Sequence, residues 1–251
     1  MRNITLFILL LVSSLSFSCQ RDDTASLNIA TAANMQFAMQ AITTAFTMET
    51  GIKCNMIVSS SGKLTAQIRE GAPFDVLVSA NMKYPQALHE DSLSWTEPKV
   101  YAYGKLVLWS MAASIMPDIE SLGSDSLKFV AVANPQNAPY GQAAMKVLEN
   151  LGHLPDIESK LVYGESIAQT NQFITSGAAE LGFTAKSVVL SNQMGGQGSW
   201  LEVDASLYDP IAQGVVLLKN SEQVDQARQF YNFLFSERAQ SILVNFGYAI
   251  N

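Results

Sequence analysis

The chain has 251 residues, of which 48% are apolar and 15% are charged, with 15 Gly and 8 Pro. This composition is typical of a globular protein with a sizeable core and excludes a disordered or low-complexity chain. Lys and Arg number 15 against 22 Asp and Glu, a formal net charge of −7. The negative charge argues against nucleic acid or an anionic membrane surface as a partner, and it requires that any anionic ligand be captured by a local site.

The N-terminal segment is typical of a bacterial secretion signal. Arg2 supplies a positive charge, the apolar run 4–12 is too short for a membrane span, and small residues follow. Cys19 comes next in a setting that resembles the lipobox of bacterial lipoproteins, although Ser16 stands where that motif usually has an aliphatic residue. We predict a lipoprotein-type signal peptide over 1–18 and lipidation of Cys19; a plain signal peptide cleaved nearby is the alternative.

Cys54 is the second of only two cysteines in the sequence. If Cys19 carries a lipid, no disulfide can form within the chain. Cys54 lies in a strand-like segment at 52–58, so we expect it to be a small buried residue.

The first half of the sequence after the signal alternates strand and helix patterns. A strand at 27–30 is followed by an apolar helical face between Met35 and Phe46, with Asn34 as the predicted N-cap and Gly51 as the C-cap.

The same alternation continues with a strand at 52–58, a short helix capped by Ser61 and ended by 71–73, and a strand at 74–79. Strand, helix, strand, helix, strand predicts a parallel sheet covered by helices.

A similar alternation begins again near residue 105. The predicted strands are 105–110, 128–133, 160–163, 181–184 and 214–218, and the predicted helices are 142–151, 167–175, 222–235 and 236–246. No linker is long enough to separate independent domains. We therefore predict an α/β chain of two lobes, each with a mostly parallel sheet, joined by crossing segments near 105–109 and 212–217. The predicted boundaries are 27–106 plus 216–251 for lobe 1 and 107–215 for lobe 2.

Four short polar segments lie where a predicted strand ends and a helix begins. They are 31–34, 59–62, 138–141 and 165–167, and none of them contains Lys or Arg. Such junctions offer unpaired backbone N–H groups, small hydroxyls and the positive end of a helix dipole. Because ligands of open α/β sheets bind beyond the carboxyl ends of the strands, we expect these segments to grip a small anion in the interlobe cleft.

Several motifs occur in an order that resembles a known family. They are Ala32-Ala33-Asn34 before an apolar helix, the segment 59–68 that begins Ser-Ser-Ser-Gly-Lys, Gly71 to Val76, Asn134 to Ala144 with its Ala-Pro-Tyr-Gly, and the terminal Phe246-Gly247-Tyr248. As a set they are similar to the periplasmic molybdate-binding proteins of bacterial ABC importers, from about Leu27 to the C-terminus. The resemblance implies the type II architecture of periplasmic binding proteins, with the ligand between the lobes.

The resemblance also implies a set of neutral donors for tetrahedral molybdate or tungstate. Carried over by position, the donors are Asn34 with the backbone of Ala33, then Ser61, and then the backbone N–H groups of Tyr140 and Ile167. These residues would hold the metal as an oxyanion and would not ligate it directly. One branch of the family adds a tyrosine hydroxyl where this chain has Ala185 and has a serine in place of Asn34. Another branch shares the Asn and the Pro-Tyr-Gly motif of this chain.

The family further implies an ABC permease as partner, a periplasmic location in the bacterial cell envelope and no cofactor; with the lipobox it implies a membrane contact through the lipid anchor. We expect a monomer and no enzymatic activity.

Alternatives are a receptor for sulfate or another small oxyanion, a sensor without a permease, and, in a different class, a hydrolase with Ser61 as nucleophile and Lys63 as base. His89 and His153 lie away from the motifs. We read Asp75 and Glu165 as structural, Asp75 ordering a turn and Glu165 helping to cap its helix.

Overall fold

The computed structural model describes residues 26–250, except 121, 125, 126 and 195. The predicted signal peptide over 1–18 and the lipidation of Cys19 lie outside the described residues.

The strands form two five-stranded sheets. They are β1 Leu27–Ala32, β2 Cys54–Ser59, β3 Val76–Ser79, β4 Lys99–Gly104, β5 Leu106–Ser110, β6 Val130–Ala133, β7 Leu161–Gly164, β8 Leu181–Ala185, β9 Ser199–Glu202 and β10 Ile211–Leu217. The first sheet has the order β2-β1-β3-β10-β4 and the second the order β7-β6-β8-β5-β9. In each sheet the first three strands of that order are parallel to one another, and the last two join by antiparallel pairing.

Helices cover both sheets. They are α1 Gln36–Thr50, α2 Ser61–Arg69, α3 Lys83–Glu90, α4 Pro139–Asn150, α5 Leu154–Ile157, α6 Ile167–Thr175, α7 Lys186–Val189, α8 Val224–Phe233 and α9 Glu237–Asn245. Within residues 26–250 as described, none of these helices combines the length and the apolar character that crossing a membrane requires. The predicted α/β fold with two helix-flanked sheets is confirmed, and each sheet is mixed because its last two strands join by antiparallel pairing.

Sheet membership shows where the chain passes between the sheets. Only Lys105 separates β4 of the first sheet from β5 of the second, and β10 pairs with β3 and β4 along its length. This arrangement favours crossings at Lys105 and between β9 and β10. The lobe boundaries at 106/107 and 215/216 stay a prediction.

The sequence misplaced two N-caps. Asn34 lies inside a 3-10 turn, Ala33–Met35, and its side chain makes no capping bond. Ser60, not Ser61, caps α2, because its hydroxyl accepts from the N–H of Lys63. The predicted C-cap Gly51 is confirmed, with a left-handed φ of 76°. Ser236 caps α9 by accepting from the N–H of Ala239.

Asp75 and Cys54 lie on the first sheet near its amino edge. The Asp75 carboxylate accepts from the Asn28 N–H at 2.6 Å and from the Ser221 hydroxyl at 2.6 Å, which confirms its structural reading. Cys54 is only half-buried, contrary to the expectation of full burial, and burial raises the pKa of its thiol to about 11. It lies at the start of β2, an edge strand, where one side of the sheet is open.

Candidate oxyanion site between the lobes

All five predicted site residues line one small cavity between the two sheets. The cavity is narrow, since the centre of a water-sized sphere can occupy only about 10 Å³ of it. The lining residues are Ala32, Ala33, Asn34, Ser60, Ser61, Ala80, Ala138, Pro139, Tyr140 and Ile167. They lie just beyond the carboxyl ends of parallel strands in both sheets, as the strand–helix junctions predicted. None of these ten side chains carries a charge, so a bound anion would be held by hydrogen-bond donors and helix dipoles.

Ser61 is the first residue of α2 and is buried. Its Oγ accepts a hydrogen bond from the backbone N–H of Ala80 at 2.9 Å. An acceptor bond of this kind leaves the hydroxyl proton available for a ligand. Ala80 follows β3, so Ser61 also ties the start of α2 to the neighbouring strand. The sequence analysis did not select Ala80, because nothing about an alanine indicates a ligand contact except its position after a buried strand.

Asn34 contributes differently from the prediction. Its side-chain Nδ2 donates to Oε1 of Gln213 at 2.8 Å and to the hydroxyl of Tyr248 at 3.0 Å. An amide nitrogen has only two hydrogens, and both are used inside the protein. The side chain of Asn34 therefore cannot be the donor to an anion, and only its backbone N–H remains for that role.

The second lobe offers backbone N–H groups at two helix starts. Tyr140 is the second residue of α4, after Pro139, and Ile167 is the first residue of α6. N–H groups in the first turn have no acceptor within their own helix and point out of the helix at its N-terminal end. Ser166 caps α6 by accepting from the N–H of Gln169, whose side chain in turn accepts from the N–H of Glu165 at 2.7 Å. This reciprocal capping leaves the N–H of Ile167 for a ligand.

Glu165 does not cap its helix with its carboxylate, contrary to expectation. Its Oε2 forms an ion pair with Nζ of Lys63 from the first lobe. Lys63 is the third residue of α2 and Glu165 directly precedes the cap of α6, so the pair joins the two helix starts at the cavity. Opposite charges here cancel, which keeps the surroundings of the site close to neutral.

The end of β8 supplies no hydroxyl to the cavity. Ala185 is the last residue of β8 and is completely buried. The buried side chain of Tyr140 points toward Gly104, next to Lys105, where the chain passes between the sheets. Its hydroxyl oxygen lies only 2.0 Å from the position that a Cβ on Gly104 would occupy. That hydroxyl has no hydrogen-bond partner within the described part of the chain. Burial raises the pKa of Tyr140 well above its usual value, so the phenol stays neutral.

The two lobes are in contact around the cavity. The N–H of Gly62 donates to the carbonyl of Asn137 at 3.0 Å, and the Ser187 hydroxyl donates to the carbonyl of Asn34 at 2.7 Å. The Tyr84 hydroxyl donates to a carbonyl of the second lobe at 3.2 Å. These bonds join opposite sides of the cleft, so the structure is a closed form.

A charged cluster lies at the crossing between the sheets. Glu202 on β9 pairs with both Lys105 and Lys186. Burial on its own would raise the pKa of Glu202, but the hydrogen bonds and charges of the two lysines outweigh that effect and lower it. The same contacts raise the pKa of Lys105. The cluster ties the crossing residue Lys105 to the second lobe.

Other features of the described residues do not compete with the cleft. No group of three or more His, Cys, Asp or Glu side chains in that part of the chain is placed to hold a metal ion. His89 contacts Ser94, and His153 lies near Glu120. A larger and more open groove runs along α1 toward Arg238, but its lining shares no residue with the predicted site.

Comparison with known proteins agrees with this geometry. Residues 27–249 match the model of the bacterial extracellular solute-binding protein family. The molybdate-binding protein ModA of Azotobacter vinelandii is 36% identical over 228 residues, covering 90% of each chain. ModA of Rhodobacter capsulatus is 37% identical over 220 residues, covering 87% of this chain and 86% of the relative. The solved periplasmic molybdate-binding protein of A. vinelandii superposes with a TM-score of 0.86 at 32% identity, covering 90% of this chain and 100% of that one.

Proposed function

This chain belongs to the bacterial extracellular solute-binding proteins, and from that premise we propose that it captures molybdate or tungstate and delivers the anion to the permease of an ABC importer. The observation that carries the proposal is the convergence of Ser61, Tyr140 and Ile167, with the backbone at Ala33 and Asn34, on one uncharged cavity. The relatives that are named molybdate-binding proteins, at 36% and 37% identity, support the same ligand.

The chemistry of the lining favours a fully deprotonated oxyanion. Every proposed contact is a donor: one hydroxyl and the backbone N–H groups at helix starts. Hydrogen phosphate carries a proton and needs an acceptor such as a carboxylate facing it. No carboxylate is among the ten lining residues, so we expect phosphate to be rejected. Sulfate has the charge and shape of molybdate and differs mainly in size, so it has to be separated by the closed width of the cleft.

The proposed setting is the periplasmic side of the bacterial cell envelope. We propose that the protein is a monomer held at the membrane through the lipid on Cys19, with the permease as its protein partner. A lipid anchor of this kind keeps the receptor near the permease while the two lobes open and close. Closure would be a hinge motion at Lys105 and at the segment between β9 and β10.

The same observations give less support to the alternative functions. The family is one of solute-binding proteins, which agrees with the expectation that the chain is not an enzyme. In the hydrolase hypothesis, Lys63 would have to act as a base for Ser61, but its ammonium is paired with Glu165 and the Ser61 oxygen faces the N–H of Ala80. The hypothesis of a sulfate receptor is decided by the ligand test, in which sulfate is one of the anions added.

That test is thermal unfolding of the chain without residues 1–19, which keeps every described residue, with molybdate, tungstate, sulfate and phosphate added separately. A ligand present at about 1,000 times its dissociation constant adds about 4 kcal/mol to the free energy of unfolding. For a chain of this size, that corresponds to a rise in Tm of roughly 8–16 °C.

We expect this rise with molybdate and tungstate and little or none with phosphate. A rise in Tm with sulfate alone would identify sulfate as the ligand, and the protein would still be an oxyanion receptor. Flat curves for all four anions would overturn the proposal.

A further inference from the structure

Gln213 is a completely buried polar side chain that the proposed function does not use. It lies in the first part of β10, which extends beyond the end of β3, since Ser79 at that end pairs with Gly214. The pairing of β10 with β4 also shifts register between Gln213 and Gly214. Gln213 therefore lies at the carboxyl edge of the first sheet, next to the cavity.

Gln213 connects two walls of the cavity. Its Nε2 donates to the carbonyl of Ala80 at 3.3 Å and to the carbonyl of Ile211 at 3.2 Å. Its Oε1 accepts from Nδ2 of Asn34 at 2.8 Å. Ala80 in turn donates its N–H to Ser61. A continuous chain of hydrogen bonds thus runs from Asn34 through Gln213 and Ala80 to the hydroxyl of Ser61.

The direction of every bond in this chain is fixed by chemistry. The carbonyls of Ala80 and Ile211 can only accept, so the NH₂ group of Gln213 must face them and its oxygen must face Asn34. Asn34 must then present its own NH₂ group to Gln213. An amide supplies donor and acceptor in these two places, whereas an ionised carboxylate lacks the donor and an aliphatic side chain lacks both.

We propose that Gln213 is a positioning residue for the oxyanion. It sets the distance between the loop that carries Asn34 and the wall formed by Ser61 and Ala80, and it turns the polar hydrogens of Asn34 away from the ligand. Because β10 continues from the crossing segment, Gln213 also ties this wall of the site to the hinge. The inference deepens the proposed function and depends on it for the identity of the ligand.

The test compares Gln213→Glu and Gln213→Leu with Gln86→Glu, which adds the same charge on the exposed side of α3. The dissociation constant for molybdate is measured by calorimetry from pH 6 to pH 9, with the fraction of active sites obtained from the stoichiometry. At pH 9 we expect both Gln213 variants to bind about 10- to 100-fold more weakly, because buried carbonyls and an amide lose their partners.

The pH profile separates positioning from a general loss of structure. A buried carboxyl has a raised pKa, and its protonated form can again donate to a carbonyl. The titratable side chains around this position are phenols, namely Tyr140 and Tyr248, with Tyr101 and Tyr208 close to Tyr140. They stay neutral over this range because burial raises the pKa of all four, that of Tyr248 to about 12. The weakening in Gln213→Glu should therefore shrink toward pH 6, whereas that in Gln213→Leu should not change. Equal affinities for all variants, or a loss in Gln213→Glu that does not depend on pH, would overturn the inference.

A measurement without ligand separates this inference from the proposed function. Amide hydrogen exchange of the ligand-free protein should speed up in Gln213→Leu at residues 33–35 and 79–81, and not at the second-lobe segment 165–168. If the wild type binds none of the four anions, the proposed function fails, and the exchange pattern still decides whether Gln213 holds this wall together. Unchanged exchange at 33–35 and 79–81 would overturn the inference.

Discussion

Both sheets combine three parallel strands with two that join by antiparallel pairing, yet the loops at their carboxyl edges provide different kinds of hydrogen-bond donor. The first lobe presents the hydroxyl of Ser61, held by Ala80. The second presents the backbone N–H groups of Tyr140 and Ile167, at positions that their helices fix. The first half of the proposed site therefore includes one side-chain donor beside the backbone at Ala33 and Asn34, and the second half depends only on where two helices begin.

This difference has a consequence for mutation. A substitution of Ser61 in the first lobe removes a donor and also breaks a hydrogen bond that holds the fold. A side-chain substitution in the second lobe leaves the donor in place, because every residue except proline has a backbone N–H. The predictions that follow test this contrast.

The largest expected effect is that of Ser61→Ala. It removes the hydroxyl donor and leaves the buried N–H of Ala80 without its acceptor. We expect the ligand-free protein to lose about 1–3 kcal/mol of stability and the affinity for molybdate to fall roughly 10- to 100-fold. Chemical unfolding and calorimetry measure the two quantities, with Ser176→Ala, an exposed serine, as the control. If stability and affinity both stay unchanged, the role given to Ser61 is wrong.

Ile167→Pro tests the second lobe through its backbone. Ser166 has an extended conformation, with φ −156° and ψ 169°, which is compatible with a following proline, and the first position of a helix tolerates one. The variant should fold but lose the N–H donor to the anion, weakening binding by about 10- to 100-fold. Ile167→Ala keeps the N–H and is the matched control; it should bind much more tightly than Ile167→Pro. Equal affinities for the two variants would contradict a backbone donor at this position.

The ion pair between Lys63 and Glu165 joins the two halves and allows a smaller test. Lys63→Met leaves an unbalanced carboxylate two residues from Ile167, and Glu165→Gln leaves an unbalanced ammonium near Ser61. Both side chains are substantially exposed, so we expect an effect of roughly two- to fivefold on affinity, with Lys63→Met the weaker binder. The difference should fade at high salt.

The double variant completes this cycle. If the pair acts as a bridge between the lobes, the double variant should bind more tightly than the product of the single effects predicts. Strict additivity would indicate that the two charges act on the anion separately.

The smallest expected effect concerns the cluster at the crossing. The pKa of Glu202 is lowered in the folded protein from its ordinary 4.5. Its contribution to stability is therefore present above pH 4.5 and is lost as the pH falls through the lowered value. Because Glu202 and its lysines are partly exposed, the contribution should be below about 1 kcal/mol. Unfolding in urea at pH 7 and pH 3.5 should show a smaller difference for Glu202→Gln than for the wild type.

The resemblance to the molybdate-binding proteins indicated the five site residues. The sequence alone determined the alternation of strands and helices, the α/β class and the four polar segments at strand ends. These features follow from local rules: apolar periodicity marks the elements, and a strand that ends in small polar residues before a helix marks a donor site. The predicted helix over 167–175 has the observed ends. Such local patterns predict the folded structure because they depend only on residues close together in the sequence.

The roles of Asn34 and Glu165 could not be obtained in that way. Asn34 bonds Gln213 and Tyr248, which are 179 and 214 positions away in sequence, and Glu165 pairs with Lys63 across the cleft. Local rules assign both residues to helix caps, since capping is the common role of these residue types near helix starts.

Gln213 is the clearest case of a residue that only the tertiary structure reveals. In the sequence it is one glutamine in an apolar strand. In the fold it lies beyond the end of a neighbouring strand and satisfies two carbonyls and an amide at once. The physical reason is that a buried polar side chain takes its role from the groups it must satisfy, and those groups are brought together only when the crossing strand joins the first sheet.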